Sequence, residues 1–241
     1  MNNINLKNNM KKQDNKHNIS AMILAAGRGR RMQSLTDHTP KPLIEVNGKA
    51  LIEHQIENLA DTGISRIIIN VAYLSELIVK RIGFGERWGI TIRYLYEPLG
   101  AYDTGGGIIR ALPWLSDPFI VVNADIISNY NFHSIVEHSK LMSELAHLVL
   151  VPNPVHNLKG DFCLTSDKKI IVINDNCQSY TYTGISVYKK ALFKGIPVGS
   201  KISLPRIWQS FIKQKLISGE LFHANWCDVG TPERWQEINR A

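Results

Sequence analysis

Cysteine is scarce in this chain: three residues in 241, Cys163, Cys177 and Cys227, with no Cys-x-x-Cys pair among them. That spacing argues against a zinc ribbon or a thioredoxin-type dithiol. So few thiols suit small buried side chains in a reducing cytoplasm. Long apolar runs are missing as well. No stretch approaches the roughly 20 residues that cross a bilayer, and the N-terminal lysines are not followed by the apolar core of a secretory leader. The expectation is a cytoplasmic protein with no membrane partner. Internal repeats and Pro/Gly/Ser-rich linkers are also absent, which favours one large domain. The eight histidines show no metal spacing, and no Ser-His-Asp or Cys-His pattern for nucleophilic catalysis is evident.

What is present is ordinary globular composition, 44% hydrophobic and 20% charged, with a net charge of +7. Part of that excess lies in an Asn- and Lys-rich start, where Lys7, Lys11, Lys12 and Lys16 stand against Asp14. Residues 1–18 lack the apolar side chains to join a core and are expected to form a disordered basic tail. Residues 19–241 are expected to form the single folded domain. A basic balance suits a protein that handles polyanions, either nucleic acid or triphosphates and sugar phosphates. No aromatic interleaving or recognition motif supports a nucleic-acid partner.

Strand and helix signals alternate along the chain. Short apolar runs at 21–24, 66–71 (RIIINV), 90–96, 119–123 (FIVVN) and 146–151 read as strands. Between them, 51–62, a short stretch through Leu77 and Val79, 108–112 and 132–141 read as helices. This order predicts an α/β fold: a doubly wound, mostly parallel sheet with helices on both faces, an α/β/α sandwich. Residues 161–164, 170–173 and 181–188 read as short strands without long helices between them, a small antiparallel insertion. A helix at 204–215, a strand near 220–224 and a last helix from Pro232 complete the chain. Thr231-Pro232-Glu233 supplies a cap, a first-turn proline and an acid for that last helix.

The first strand runs into Ala25-Ala26-Gly27-Arg28-Gly29-Arg30-Arg31-Met32. Ligands in open α/β sheets bind at the carboxyl ends of the strands. Gly27 and Gly29 free the backbone to aim N–H groups at phosphate oxygens, Ala25 and Ala26 leave room for a base or ribose, and Arg28, Arg30 and Arg31 add charge. The loop is neither a Walker A sequence nor a dinucleotide fingerprint, and by itself it is equally a structural turn. Ten residues past Arg31 stands Lys41 between Pro40 and Pro42, which predicts a stiff, extended backbone aiming the lysine at a fixed phosphate.

Gly27 to Met32 followed by Thr39-Pro40-Lys41-Pro42-Leu43 resembles the sugar-nucleotide pyrophosphorylase family, whose signature is GxGxRM…T…PKPL. Further matches span nearly all of residues 20–240. Val122-Asn123-Ala124-Asp125 is similar to the family's NGD, with Ala124 in place of the glycine, and Trp226-Cys227-Asp228-Val229-Gly230-Thr231 is similar to its W-x-DVGT. The resemblance implies a Rossmann-like fold of the nucleotide-diphospho-sugar transferase type and Mg²⁺ held by Asp125 and Asp228. It implies catalytic roles for Arg31 and Lys41, and nucleotide contacts from Ala25, Ala26, Gly27, Gly29, Arg30, Arg31, Lys41, Thr104 and Gly105. Thr104 to Gly107 resembles the base-reading loop; taken alone, it is a plain flexible loop. Gly160-Asp161-Phe162 and Thr183-Gly184-Ile185 resemble sugar-side segments, so that Asn123, Lys159, Asp161, Thr183 and Gly184 are the sugar candidates. The segment at 100–102 is about one residue longer than the family's loop.

Within the family the chain is most similar to a short branch that handles N-acetylmuramic acid 1-phosphate in cell-wall sugar recycling. The implied substrates are UTP and a sugar 1-phosphate, and the expected assembly is a monomer or homodimer. The lactyl carboxylate of that sugar calls for a hydrogen-bond donor or a cation, for which Lys159 is the candidate, against its reading as a solvated surface lysine. Mannose with GTP, glucose with dTTP or UTP, phosphocholine with CTP, and a non-catalytic nucleotide-sugar sensor remain open at this stage.

Overall fold

In the computed structural model, residues 19–240 are described; the tail expected at 1–18 lies outside them. The core is a nine-stranded sheet. Strand β1 (Ser20–Leu24) pairs in parallel with β4 (Arg66–Val71) and β6 (Phe119–Asn123), and β4 pairs in parallel with β5 (Thr91–Tyr96). Two short pairs lie outside the sheet: β2 (Glu45–Val46) with β3 (Lys49–Ala50), and β7 (Ile126–Ser128) with β13 (Trp226–Asp228). Beyond β6 the sheet turns antiparallel through β11 (Ser179–Tyr188). That strand also pairs with β8 (Ala146–Val151) and with β9 (Phe162–Leu164), which carries β10 (Ile170–Ile171). On its other side β8 takes β12 (Ile217–Leu221) in parallel.

Period-two alternation divides the core. Ala21, Ile23, Ile67 and Ile69 face α1 (Leu51–Asp61) and α4 (Phe132–Leu141), where Ile52, Ile56, Ile135 and Val136 meet them. Met22, Ile68 and Val121 face α3 (Asp103–Ala111) and α5 (Leu204–Lys213), through Ile108, Leu204, Ile207 and Trp208. Two shorter helices, α2 (Ser75–Ile82) and α6 (Pro232–Arg240), flank these layers. The doubly wound sheet with a small antiparallel insertion is therefore the observed architecture.

Four local expectations are corrected. The triple glycine is not a loop: Gly105, Gly106 and Gly107 are buried within α3. The strand placed near 220–224 begins at Ile217, because Ile217 to Leu221 pair with Ala146 to Leu150. The backbone at Lys41 is not extended; Lys41–Leu43 form a 3₁₀ turn behind an extended Pro40. Cys163 and Cys177 are disulfide-bonded rather than separate small hydrophobes, while Cys227 is free. Pairing of Cys163 with Ser179 across β9 and β11 is what returns Cys177 to a Cα separation of 6.0 Å.

Candidate active site

The carboxyl ends of β1, β4, β5 and β6 open into a cleft of about 620 Å³. Among the described residues no helix is long and apolar enough to cross a membrane. The cleft forms where a parallel sheet reverses strand order.

The loop after β1 makes one wall. The Ala25 amide donates to Asn70 Oδ1 at 2.9 Å, which fixes the strand end. A Cβ at Gly27 would meet no protein atom within 4 Å, so this backbone lies open. Gly29 has φ +69°, and a Cβ there would stand 2.9 Å from the Cβ of Lys41. The glycine therefore lets the loop press against the lysine stem. Ala25, Ala26, Gly27, Gly29, Arg30, Arg31 and Lys41 all line the cleft. Arg28 does not: it donates to the Thr36 carbonyl at 2.8 Å and lies over the Tyr73 ring, holding the loop from behind.

Lys41 reaches across to Asp125 and forms an ion pair with it. The Val229 amide donates to the Asp125 carbonyl at 2.8 Å, and Asp228 pairs with Ile126 across β7 and β13. The two aspartates, 103 positions apart in sequence, thus stand on hydrogen-bonded neighbouring segments. Asp228 accepts from Arg234 and lies 2.8 Å from His156 Nε2. A Cβ at Gly230 would fall 2.2 Å from Arg234 Nη2, so this glycine makes room for the arginine. Beside them, burial pushes the Cys227 thiol up to about 11, with the charge of Asp228 adding to the shift.

The opposite wall comes from β5 and α3. Thr104 lines the cleft, and its hydroxyl accepts from the Leu204 amide at 2.9 Å. Gly105 faces away, packed on Ile202 and Ile207. Glu97 lines the cleft beneath them, accepting from Asn70 Nδ2 at 3.2 Å with Arg110 at 3.7 Å. Burial pushes its carboxyl above the usual range, and Asn70 and Arg110 oppose that shift.

The sugar candidates divide. Asn123 lines the cleft, and a Cβ on Gly184 (φ +85°) would sit 2.6 Å from its Nδ2. Asp161 accepts from the Tyr182 amide at 2.8 Å, tying β9 to β11 outside the cleft lining. The Thr183 hydroxyl is buried in the sheet, donating to the Val149 carbonyl at 2.8 Å. Lys159 is exposed and outside the lining. Sequence reasoning did not single out Asn70, Tyr102, Lys201, Arg234 or His156. Asn70, one residue before the end of a recognised strand, was open to the strand-end rule; Tyr102 caps α3 and Arg234 sits in the first turn of α6, each beside a recognised segment, while Lys201 and His156 come from separate loops.

The donor set bears on a metal. Among the described residues no three His, Cys, Asp or Glu side chains converge on a common point. Two carboxylates on paired segments are what the site offers. Mg²⁺ takes one or two carboxylates and fills its remaining positions with phosphate oxygens and water, so the donor chemistry fits.

Residues 20–241 match the family described as nucleotidyl transferase. The chain is 40% identical to the N-acetylmuramate alpha-1-phosphate uridylyltransferase of Neisseria meningitidis, over 91% of this chain and 96% of that protein. It is 29% identical to the protein of the same name from Caulobacter vibrioides, over 88% and 92%. The fold superimposes with a TM-score of 0.80 on a Bacillus anthracis structure assigned as a glucose-1-phosphate thymidylyltransferase, in complex with sucrose, at 22% identity over 92% of this chain and 94% of that one. The chain belongs to the nucleotidyl transferase family.

Proposed function

We propose that the protein transfers a uridylyl group from UTP to N-acetylmuramic acid 1-phosphate, giving the UDP-sugar and pyrophosphate. The supporting observation is the cleft itself: Arg30, Arg31, Lys41 and Asp125 line it, Lys41 pairs with Asp125, and Asp228, outside the lining, stands on the segment paired beside Asp125. The 40% identity to the Neisseria meningitidis enzyme, spanning both chains, supports the choice of base and sugar.

In this reaction a phosphate oxygen of the sugar attacks the α-phosphorus of UTP. The new P–O bond forms as the bond from the α-phosphorus to the bridging oxygen breaks, and pyrophosphate leaves with that electron pair. The attacking phosphate is already largely dianionic at neutral pH, its second pKa being about 6, so no side chain has to remove a proton. The task is to bring two anions together and to stabilise the leaving group, which is positioning and electrostatics. Arg31 and the open amides at Gly27 hold the triphosphate. Lys41, tethered behind Gly29, lies at the reacting end beside Asp125. Asp125 and Asp228 would hold Mg²⁺, whose charge would supply the remaining neutralisation when it is bound. The proposed setting is the cytoplasm, in cell-wall sugar recycling, with a monomer or homodimer acting alone.

The test is pyrophosphate release with UTP, GTP, dTTP and CTP against a panel of sugar 1-phosphates and phosphocholine, with and without Mg²⁺. UTP should be preferred and the metal required. Preference for another nucleotide would redirect the assignment within the family, and no release from any pair would leave a binding protein.

A further inference from the structure

We infer that Lys201 binds the phosphate of the sugar 1-phosphate, and that the paired glycines of α3 exist to seat the strap that delivers it. The inference rests on the reaction proposed above. The strap is the segment 199–203 that leads into α5. It is stitched to the start of α3 by three hydrogen bonds. The Ile202 amide donates to the Tyr102 carbonyl at 3.1 Å, and the Gly106 amide donates to the Ile202 carbonyl at 3.0 Å. The Leu204 amide donates to Thr104 Oγ1 at 2.9 Å. Contact is close enough to forbid side chains. A Cβ on Gly106 would fall 2.2 Å from the Ser200 carbonyl oxygen, and one on Gly105 would fall 2.8 Å from the Ile202 carbonyl oxygen. Glycine costs about 1 kcal/mol relative to alanine inside a helix, and here it buys a backbone-to-backbone seat.

Lys201 lies between the two anchored residues and lines the cleft. Among the described residues it has no hydrogen-bond or ion-pair partner, whereas Lys41 is held by Asp125. Its face of the sheet identifies its anion. Lys41 leads into Leu43, which packs with the α1 layer. The strap leads into α5, whose Trp208 meets the rings of Phe162 and Tyr182 at 5.7 and 5.2 Å. These two residues adjoin Asp161 and Thr183, segments that the sequence resemblance placed on the sugar side although neither of those two side chains lines the cleft. The cleft therefore receives cations from two sides, Arg30, Arg31 and Lys41 for the triphosphate and Lys201 for the second anion. Lys159, the cation expected from sequence, lies outside the lining.

The experiment measures KM separately for UTP and for N-acetylmuramic acid 1-phosphate in the parent, Lys201→Ala, Lys201→Arg and Gly106→Ala. Loss of a charge-assisted hydrogen bond should raise the sugar-phosphate KM of Lys201→Ala roughly tenfold or more, with the UTP KM within about twofold of the parent. Lys201→Arg should recover most of the loss, and Gly106→Ala should copy Lys201→Ala by displacing the strap. Lys201 is exposed, so its variants should melt like the parent and carry the test should Gly106→Ala misfold. An unchanged sugar KM in Lys201→Ala, or a rise confined to UTP, overturns the inference. A parent that releases no pyrophosphate with any sugar 1-phosphate overturns the proposed reaction instead, and the inference falls with it.

Discussion

His147 provides a quantitative test of the packing around β8. Its ring is buried, with Nδ1 2.8 Å from the Ser218 hydroxyl and Nε2 without a hydrogen-bond partner among the described residues. It stacks on His138 of α4, ring centroids 3.7 Å apart, and Glu220 Oε1 lies 4.0 Å from Nε2. Desolvation pushes the imidazole down to about 3 from 6.5, and the neighbouring His138 adds to the fall. The folded protein therefore keeps His147 neutral, while the unfolded chain binds a proton below pH 6.5. Stability is lost progressively as pH falls from 6.5 toward 3. Each pH unit in that window is worth about 1.4 kcal/mol, so lowering the pH from 7 to 5 should cost about 2 kcal/mol. For a domain of this size that is a fall in Tm of about 4–8 °C. Glu53 and Glu144, held near 2, lose their stabilising effect only below 4.5. Glu97, raised by burial, acts with the opposite sign, and His138, lowered by burial, acts in the same direction as His147; both are common to parent and variant. Urea unfolding at pH 7 and pH 5 should show the full loss in the parent and most of it abolished in His147→Asn, even though that variant starts less stable. An equal fall in both proteins would refute the assignment to His147.

Three further outcomes follow from the cleft. Asp125→Asn and Asp228→Asn should each reduce kcat by two orders of magnitude or more at saturating Mg²⁺ without loss of fold; near-parental kcat in either removes that carboxylate from the centre. Lys41→Ala should reduce kcat/KM far more than His38→Ala, since Lys41 lines the cleft and His38 does not; equal small losses would make the Pro-Lys-Pro unit a structural turn. Thr183→Val should lower Tm with little change in the sugar-phosphate KM, because the hydroxyl donates within the sheet to Val149; a large KM rise with unchanged Tm would show the reverse.

The strands of the parallel half were legible because runs such as 67–69 and 119–122 are buried on both faces and therefore continuously apolar. Helix α4 was legible from its periodicity. Helix α3 was legible only in its second half, at 108–112; its first half was not, since three consecutive glycines read as a loop until the docked strap supplies the packing that overrides propensity. Strand β12 was displaced for a similar reason: Ile-Ser-Gly carries little strand signal, and pairing with β8 decides it. Within the cleft, the wall built from contiguous residues 25–41 was visible, because its glycines, prolines and cations are adjacent in sequence. Lys201 and His156 were not, since each arrives from a separate loop and only the fold brings it to the site; Arg234, in the first turn of α6 just past the W-x-DVGT match, was close in sequence but carried no motif of its own.

The central claim is the reaction itself, and its most direct measurement compares kcat/KM for N-acetylmuramic acid 1-phosphate and N-acetylglucosamine 1-phosphate with UTP, read as pyrophosphate release. These sugars differ by the lactyl carboxylate, and a site that binds it through a charge-assisted hydrogen bond should prefer the muramic sugar by roughly ten- to a hundredfold. Equal values for the two sugars, or a preference for N-acetylglucosamine 1-phosphate, would contradict the account.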